Sequence, residues 1–291
     1  MAQTVLGIIG GSGVYQIDGL KDAEWQRVAT PWGEASDDIL FGSLDGVEMR
    51  FLPRHGRGHV HSPTSINYRA NIDAMKRAGV TDLISVSACG SFREELPPGH
   101  FVVVDQFIDR TFAREKSFFG PGFVAHVSLA HPTCKRLDAA LFEAAGEVGL
   151  AVTKGGTYLA MEGPQFSTLA ESLLYKSWGC SVIGMTGMPE AKLAREAELP
   201  YALVAMVTDY DCWHPGHDHV TVDQVVKILG QNADNARALV KRVAPKLGPH
   251  RTPSPAGIEH TLDTAFITAP EKRDPELFAK LDAVAGRVLK A

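Results

Sequence analysis

Short apolar segments alternate with longer segments of helical periodicity along most of the chain, and this alternation limits the possible folds more than any other feature. Five apolar segments are nearly continuous: Val5–Ile9, Leu83–Val86, Phe101–Val104, Ser181–Met185 and Tyr201–Val207. Strands of this kind are typical of a sheet that is covered on both faces. The region Ile39–Leu52 alternates more and contains Asp45-Gly46, which indicates a hairpin turn.

Helices are predicted between these strands, and several of them have typical end signals. A glycine follows three of them, and Thr168-x-x-Glu171 forms a capping box. The predicted helices are Ile66–Ala78, Lys135–Val148, Thr168–Trp178, a first turn at Pro189-Glu190, Val222–Val243 and a weaker one at Asp274–Leu289.

The order of these elements predicts an α/β fold. Alternating strands and helices favour a single-domain three-layer sandwich with a central mixed β-sheet flanked by helices. We expect this domain to cover residues 1–248, because no repeat or change of composition divides it. Residues 249–291 follow as an irregular segment plus a helix.

Composition argues against several classes of partner. The formal net charge is −5 and no long run of Lys and Arg is present, so nucleic acid is not an expected partner. The 4 cysteines contain no C-x-x-C pair, and reduced thiols suit a cytoplasmic protein. We recognise no signal peptide, and no apolar stretch is long enough to predict a membrane span.

Three loops that follow predicted strands contain residues that suit an anion. The glycines of Gly10-Gly11-Ser12-Gly13 allow backbone N–H groups to approach an anion, and Ser12 adds a hydroxyl. The dinucleotide fingerprint does not match, since Gln16 stands where a third glycine is needed. A tight strand-to-helix turn is the alternative interpretation. The small residues of Ser85–Ser91 would form a second wall for the same anion.

The third loop combines arginine, histidine and glycine in the run Arg54-His55-Gly56-Arg57-Gly58-His59-Val60-His61. Two arginines and a histidine can hold an oxyanion through charge-assisted hydrogen bonds. A metal site made of His55, His59 and His61 is a rival interpretation, but the neighbouring arginines would oppose a divalent cation. We favour the anion, with a solvated basic loop as the third possibility.

The last predicted strand ends in two carboxyl groups, in the run Thr208-Asp209-Tyr210-Asp211-Cys212-Trp213. A carboxyl group beside an apolar wall keeps its proton more readily and can act as a general acid. A capped turn is the alternative. His214, His217 and His219 follow, and we prefer a solvated lid to a metal cluster for them.

Two further segments suit a nucleoside. Met161–Ser167 places the aromatic ring of Phe166, which can stack on a purine or belong to the core, beside polar groups. Gly184–Glu190 joins a strand to the start of a helix, where an anion or a sugar hydroxyl can bind.

Taken in order, these segments resemble the methylthioadenosine phosphorylase branch of the purine nucleoside phosphorylase family, from about Val5 to about Ala244. The matching motifs are GIIGGSG, LPRHGRGH, NYRANI, SACGS, DQFIDRT, MEGPQFST, GMTGMPE and TDYDCW. The resemblance implies a nucleoside phosphorylase-like fold and the reversible phosphorolysis of a purine nucleoside. It also implies a homotrimer or a dimer of trimers, with inorganic phosphate as co-substrate and neither metal nor organic cofactor.

The resemblance also implies roles for individual residues. The phosphate site would consist of Ser12, Arg54, His55, Ser87, Ala88 and Thr186. The nucleoside would contact Phe166, Ser167, Met185, Asp209, Tyr210, Asp211, Val222 and Val225, and His126 of one subunit would reach the 5′ side of a neighbouring site. Asp209 would protonate the purine at N7, and either aspartate would accept the 6-amino group.

Differences within the family point to the substrate. Ser167 and Asp209 stand where relatives that use 6-oxopurines typically have Glu and Asn, which favours a 6-aminopurine. Val222 replaces a polar residue and favours an apolar 5′-methylthio group. Methylthioadenosine is therefore the expected substrate, with methylthioinosine and adenosine as alternatives. A metal-dependent hydrolase that uses the histidines is a further alternative.

Some positions depart from the animal-type pattern. Ser12 and Ser87 replace Thr and keep the hydroxyl group. Gly184 and Gly187 replace larger residues, from which we expect a roomier ribose side. The contact from the C-terminal segment to a neighbouring 5′ pocket is expected near Ile267 or Thr268.

Overall fold

A computed structural model describes residues 3–11, 13–215 and 222–290, with the backbone alone for residues 222–227. The strands are β1 Val5–Gly10, β2 Lys21–Gln26, β3 Ile39–Leu44, β4 Val47–Pro53, β5 Asp82–Ser91, β6 Phe101–Val104, β7 Gln106–Asp109, β8 Val152–Lys154, β9 Thr157–Ala160, β10 Val182–Gly184 and β11 Tyr201–Asp209. The helices are α1 Tyr68–Arg77, α2 Lys135–Glu147, α3 Leu169–Ser177, α4 Glu190–Glu196, α5 Val222–Leu247, α6 Pro275–Lys280 and α7 Gly286–Leu289, with 3-10 helices at Ile258–Thr264 and Pro270–Lys272.

All these strands belong to one mixed sheet, and β5 is its central branch point. The main path runs β2-β3-β4-β1-β5-β10-β9-β7, while β11 pairs with β5 and β6, and β6 pairs with β8. Strands β4, β1, β5 and β11 are parallel, so their carboxyl ends meet at one edge. Strand β10 runs antiparallel to the end of β5 and brings the residues that follow it to the same place.

Helices cover both faces of the sheet, as the nearly continuous apolar strands predict. Along β11, Leu203 and Ala205 belong to one buried cluster, whereas Val204 and Met206 belong to the other. The first cluster includes residues of α1 and α4, and the second includes residues of α2 and α5. The predicted three-layer α/β sandwich is therefore confirmed.

Local signals in the sequence have clear counterparts. Asp45 and Gly46 both have positive φ, 48° and 82°, as a two-residue hairpin turn of type I′ requires. Thr168 and Glu171 form both hydrogen bonds of the capping box at the start of α3. The apolar pattern did not reveal β2, because this edge strand is mostly exposed, nor the short strands β7, β8 and β9.

The C-terminal segment packs onto the core, although its helical part differs from the prediction. Leu262, Leu281 and Val284 are buried in the first cluster. Arg287 pairs with the buried Glu198 at 2.6 Å. The single helix predicted at Asp274–Leu289 is wrong: the chain leaves helical geometry between α6 and α7. Leu281 has ψ 8° and Ala285 has φ −117°, and the turns between them still bury Leu281, Val284 and Ala285. Gly286, a weak helix former, stands at the start of α7.

No helix in the described ranges is both long and apolar enough to cross a membrane.

Candidate active site

Two buried hydroxyl groups meet where the end of β5 faces the loop after β10. Ser87 Oγ lies 2.9 Å from Thr186 Oγ1, and it also lies 3.1 Å from the carbonyl oxygen of Ala88. Both side chains are buried, and Ala88 is half-buried beside them. The structure thus brings together three of the residues predicted to bind phosphate. Ser12, a fourth, lies outside the described residues.

Arg54 is close to this place but is engaged inside the protein. Its Nε donates to Glu190 Oε2 at 2.9 Å, and its Nη2 donates to Glu190 Oε1 at 3.3 Å. Further hydrogen bonds go to Ser85 Oγ and to the carbonyl oxygens of Ile9 and Val86. Both charged side chains are only 1% exposed. The guanidinium therefore ties β1, β4, β5 and α4 together as one half of a buried ion pair.

The histidine that follows is neutral at physiological pH. His55 Nδ1 lies 2.8 Å from the carbonyl oxygen of His61, which can only accept, so Nδ1 carries the proton. Burial lowers the pKa of His55 to about 4. Its Nε2 is then an acceptor, and a ligand would have to donate a proton to it. The ring stacks on His59 with 4.2 Å between centroids.

The described histidines do not form a metal centre. In the ranges 3–11, 13–215 and 228–290, no group of three or more His, Cys, Asp or Glu side chains is arranged to hold a metal ion. His217 and His219 of the rival interpretation lie outside the described residues.

The two aspartates lie together at the end of β11, beside the end of β5. Asp211 N donates to Asp209 Oδ1 at 2.8 Å, and Thr208 Oγ1 lies 2.7 Å from Asp209 Oδ2. A Cβ on Gly90 would lie 2.8 Å from Asp209 Oδ1, so only glycine leaves room for this carboxyl group. Asp209, at the end of β11, thus stands opposite Gly90, which lies three residues beyond Ser87 on β5.

Asp211 is a buried carboxyl group with the side chains of Ser172 and Ser167 close by. Its side chain is 4% exposed, and its Oδ2 has no hydrogen-bond partner among the described residues. Burial, together with the negative charge of Asp209, raises the pKa of Asp211 to about 6, against the opposing effect of the nearby Ser172 and Ser167 hydroxyl groups, which lower it. An unsatisfied buried carboxyl oxygen is costly, and an amino group of a ligand would remove that cost.

The segment predicted to contact the base lies against the same loop. Cys212 Sγ donates to the carbonyl oxygen of Ser167 at 3.4 Å, while the ring of Phe166 is 46% exposed. Tyr210 donates its hydroxyl to the carbonyl oxygen of Glu94 at 3.1 Å, and its ring stacks on His214. The Tyr210 hydroxyl is therefore held by the backbone.

Arg114 connects the segment after β10 to the segment that precedes Phe166, a role that was not predicted from the sequence. It donates to the carbonyl oxygens of Met185 and Glu162, both at 2.6 Å, and to that of Met188 at 2.8 Å. The Glu162 carboxylate in turn accepts from Thr64 Oγ1 at 2.6 Å. These bonds hold Met185, the predicted ribose contact, in relation to the segment that precedes Phe166.

The ribose side is not roomier, contrary to the expectation from Gly184 and Gly187. A Cβ on Gly184 would lie 1.9 Å from the hydroxyl oxygen of Tyr158, and one on Gly187 would lie 2.8 Å from Phe107 Cε1. The two aromatic rings fill the space that the glycines leave. Sequence reasoning overlooked both rings because β7 and β9 are too short to show periodicity.

Residues predicted to act at the 5′ side lie on a surface formed by two chain segments. His126 is exposed, and its N–H donates to the carbonyl oxygen of Ala265 at 2.9 Å. Ile267 N donates to the carbonyl oxygen of Val124 at 3.0 Å, so the segments of His126 and Ile267 run side by side. The side chains of Val222 and Val225 lie outside the described residues.

Comparisons with known proteins place the chain in a family. Residues 5–245 match the model of the phosphorylase superfamily. An S-methyl-5′-thioadenosine phosphorylase of Cereibacter sphaeroides is 70% identical, with 99% of each chain covered, and one of Rhodospirillum rubrum is 64% identical, with 99% and 98% covered.

Solved structures show the same likeness. A methylthioadenosine phosphorylase from an antarctic soil metagenomic library has a TM-score of 0.91 at 44% identity, covering 97% of this chain and 98% of that one. A variant adenosine/methylthioadenosine phosphorylase of Schistosoma mansoni in complex with methylthioadenosine has a TM-score of 0.77 at 36% identity, covering 84% and 92%. The chain belongs to the phosphorylase superfamily.

Proposed function

We propose that this chain catalyses the reversible phosphorolysis of S-methyl-5′-thioadenosine to adenine and 5-methylthioribose 1-phosphate, a reaction of methionine and purine salvage. The observation that carries the proposal is the 70% identity, over 99% of both chains, to an S-methyl-5′-thioadenosine phosphorylase. The hydroxyl pair of Ser87 and Thr186 and the carboxyl pair of Asp209 and Asp211 supply groups that this chemistry needs.

Phosphate would bind at the end of β5. Ser87 and Thr186 would donate their hydroxyl protons, and the N–H groups of the Ser12 loop and Ala88 would complete the site. Arg54 would be the nearby cation, with its charge partly balanced by Glu190. Neutral His55 accepts through Nε2, so it would pair with the proton of a hydrogen phosphate ion. Phosphate is then both the anion that stabilises the sugar cation and the nucleophile that captures it.

The purine base would bind beside the loop that follows β11. Asp211 Oδ2 would accept the 6-amino group, and Asp209 would give a proton to N7 as the N9–C1′ bond breaks. The bonding electrons pass into the purine, which leaves as neutral adenine. The oxocarbenium-like C1′ then forms a bond with a phosphate oxygen. Phe166 and Ser167 would face the base, Tyr210 would lie beside it, and Met185 would contact the ribose.

Self-association is part of the proposal, as a homotrimer or a dimer of trimers. Helix α3 presents Leu169, Leu173, Leu174 and Trp178 to solvent, each between 44% and 55% exposed. An apolar surface of this kind suits contact with a second copy of the chain. His126 of one subunit would then reach the 5′ side of a neighbouring site, close to the pocket of Val222 and Val225.

The same proposal includes the absence of a metal or organic cofactor, and a cytoplasmic location. Cys89, Cys134, Cys180 and Cys212 are all unpaired thiols, which is consistent with a reducing compartment.

The test is adenine release from methylthioadenosine, with and without phosphate and with and without a chelator. Methylthioinosine, adenosine and inosine serve as competing substrates. We expect release that needs phosphate, is insensitive to chelator and is fastest for methylthioadenosine. Release without phosphate would indicate a hydrolase instead. Adenosine is the second candidate substrate, because the Schistosoma mansoni neighbour is named for both nucleosides.

A further inference from the structure

A third hydroxyl group, that of Tyr158, lies beside the two that are proposed to bind phosphate. Tyr158 is on β9, which pairs in parallel with β10 so that Ala160 stands opposite Gly184. The side chain is fully buried. Its hydroxyl oxygen lies 3.2 Å from Ser87 Oγ and 3.4 Å from Thr186 N.

Two glycines make this position possible. A Cβ on Gly184 would lie 1.9 Å from the Tyr158 hydroxyl oxygen, and one on Gly187 would lie 3.1 Å from Tyr158 Cε1. Contacts this short cannot be relieved by small shifts, because the ring also packs on Phe107 with 5.7 Å between centroids. The tyrosine and the two glycines therefore form one structural unit that delivers a hydroxyl group to Ser87.

The donors around Tyr158 favour one direction for these hydrogen bonds. The Tyr158 oxygen accepts the N–H of Thr186, and burial raises the pKa of Tyr158, so the hydroxyl keeps its proton. Ser87 Oγ, 3.2 Å away, can accept this proton. With one lone pair occupied in this way, Ser87 can direct its own proton to the Ala88 carbonyl oxygen, to Thr186 Oγ1 or to a bound anion.

We propose that Tyr158 is a positioning residue for phosphate, which acts by donating its hydroxyl proton to Ser87 and thereby orienting the Ser87 hydroxyl as a donor to the anion. Hydrogen bonds in such a chain polarise one another, so the Ser87 proton is also a stronger donor than it would be alone. This inference rests on the proposed function, since it assumes that phosphate binds at Ser87 and Thr186.

The experiment measures initial rates of adenine release against phosphate concentration at saturating methylthioadenosine. We expect Tyr158→Phe to raise the KM for phosphate about fivefold, the size expected for loss of one neutral hydrogen bond. The kcat and the KM for the nucleoside should stay within about twofold of the parent. Tyr175→Phe, which removes the hydroxyl of another buried ring, is the matched control and should leave both KM values unchanged.

A double-mutant cycle distinguishes positioning from simple packing. If Tyr158 acts through Ser87, then Tyr158→Phe should add nothing to the effect of Ser87→Ala on the KM for phosphate. An undiminished effect in the Ser87→Ala background would overturn the proposal. So would a phosphate KM within twofold of the parent in a Tyr158→Phe protein of unchanged Tm.

A second variant decides the question if Tyr158→Phe does not fold. Gly184→Ala displaces the hydroxyl while the tyrosine remains, and it should also raise the KM for phosphate more than that for the nucleoside. An equal rise in both would overturn the proposal. The parent enzyme distinguishes failure of the proposed function from failure of the role of Tyr158. Phosphate-independent release by the parent would refute the proposed function. Phosphate-dependent release by the parent, with an unchanged KM for phosphate in Tyr158→Phe, would refute only the role of Tyr158.

Discussion

Replacing Glu190 by glutamine should destabilise the protein more than most single substitutions do. Glu190 and Arg54 are each 1% exposed, and Glu190 also accepts the Tyr201 hydroxyl at 2.9 Å. In Glu190→Gln the guanidinium keeps its charge, but no counterion remains for it inside the core. Breaking a buried pair in this way costs about 3–5 kcal/mol. That is a large part of the roughly 5–15 kcal/mol by which a folded protein is stable.

Urea titration at fixed protein concentration measures the free energy of unfolding directly. The matched control is Glu34→Gln, which breaks the pair of Arg27 and Glu34, whose side chains are 69% and 72% exposed. Exposed pairs contribute about 0–1 kcal/mol, so this variant should resemble the parent. The Tm of Glu190→Gln should fall by roughly 6–20 °C. If the free energy of unfolding falls by less than about 1 kcal/mol in both variants, the Arg54–Glu190 pair does not hold the surrounding strands and helix together.

The remaining predictions concern the carboxyl pair and one glycine. Asp209→Asn should lower kcat on methylthioadenosine by about 10²–10⁴-fold with little change in the KM for phosphate, and equal turnover by variant and parent would defeat the general-acid role. The pKa of Asp211 is raised to about 6, so the folded state binds this proton more tightly than the unfolded state does. Ionisation of Asp211 should therefore remove up to about 3 kcal/mol of stability as the pH rises from 4 to 6. Asp211→Asn should flatten that part of the stability profile, and an identical profile would contradict the assignment. Gly184→Ala should lower the Tm, whereas Gly230→Ala, where a Cβ meets nothing within 4 Å, should not.

Much of the fold could be predicted from the sequence, because strands and helix ends depend on the local pattern of apolar and capping residues. The apolar segments Val5–Ile9 and Tyr201–Val207 lie within β1 and β11, and the Thr168 capping box begins α3. The site was harder, because its contacts join residues far apart in the chain. Arg54 and Glu190 are separated by 136 positions. Both stood in recognised motifs, yet nothing in a single sequence pairs them.

Tyr158 shows more clearly what a single sequence cannot predict. Its strand of four residues is too short for a periodic pattern, and Gly184 and Gly187 suggested empty space. A glycine leaves a cavity only if no neighbouring side chain fills the space. At Gly184 the side chain that fills it, Tyr158, comes from another strand. Only the three-dimensional register of β9 and β10 reveals the compensation.

Strand β5 has a consequence for how the enzyme can move. Ser87 and Gly90 are three residues apart on this strand, so the proposed phosphate position and the proposed base position are separated by about 10 Å of extended backbone. Because this stretch of β5 pairs with β11 along its length and with β10 at Gly90, the sheet holds that separation constant. Any closure around the substrate would therefore come from segments outside the sheet. Such a movement would leave the distance between the proposed phosphate and base positions unchanged.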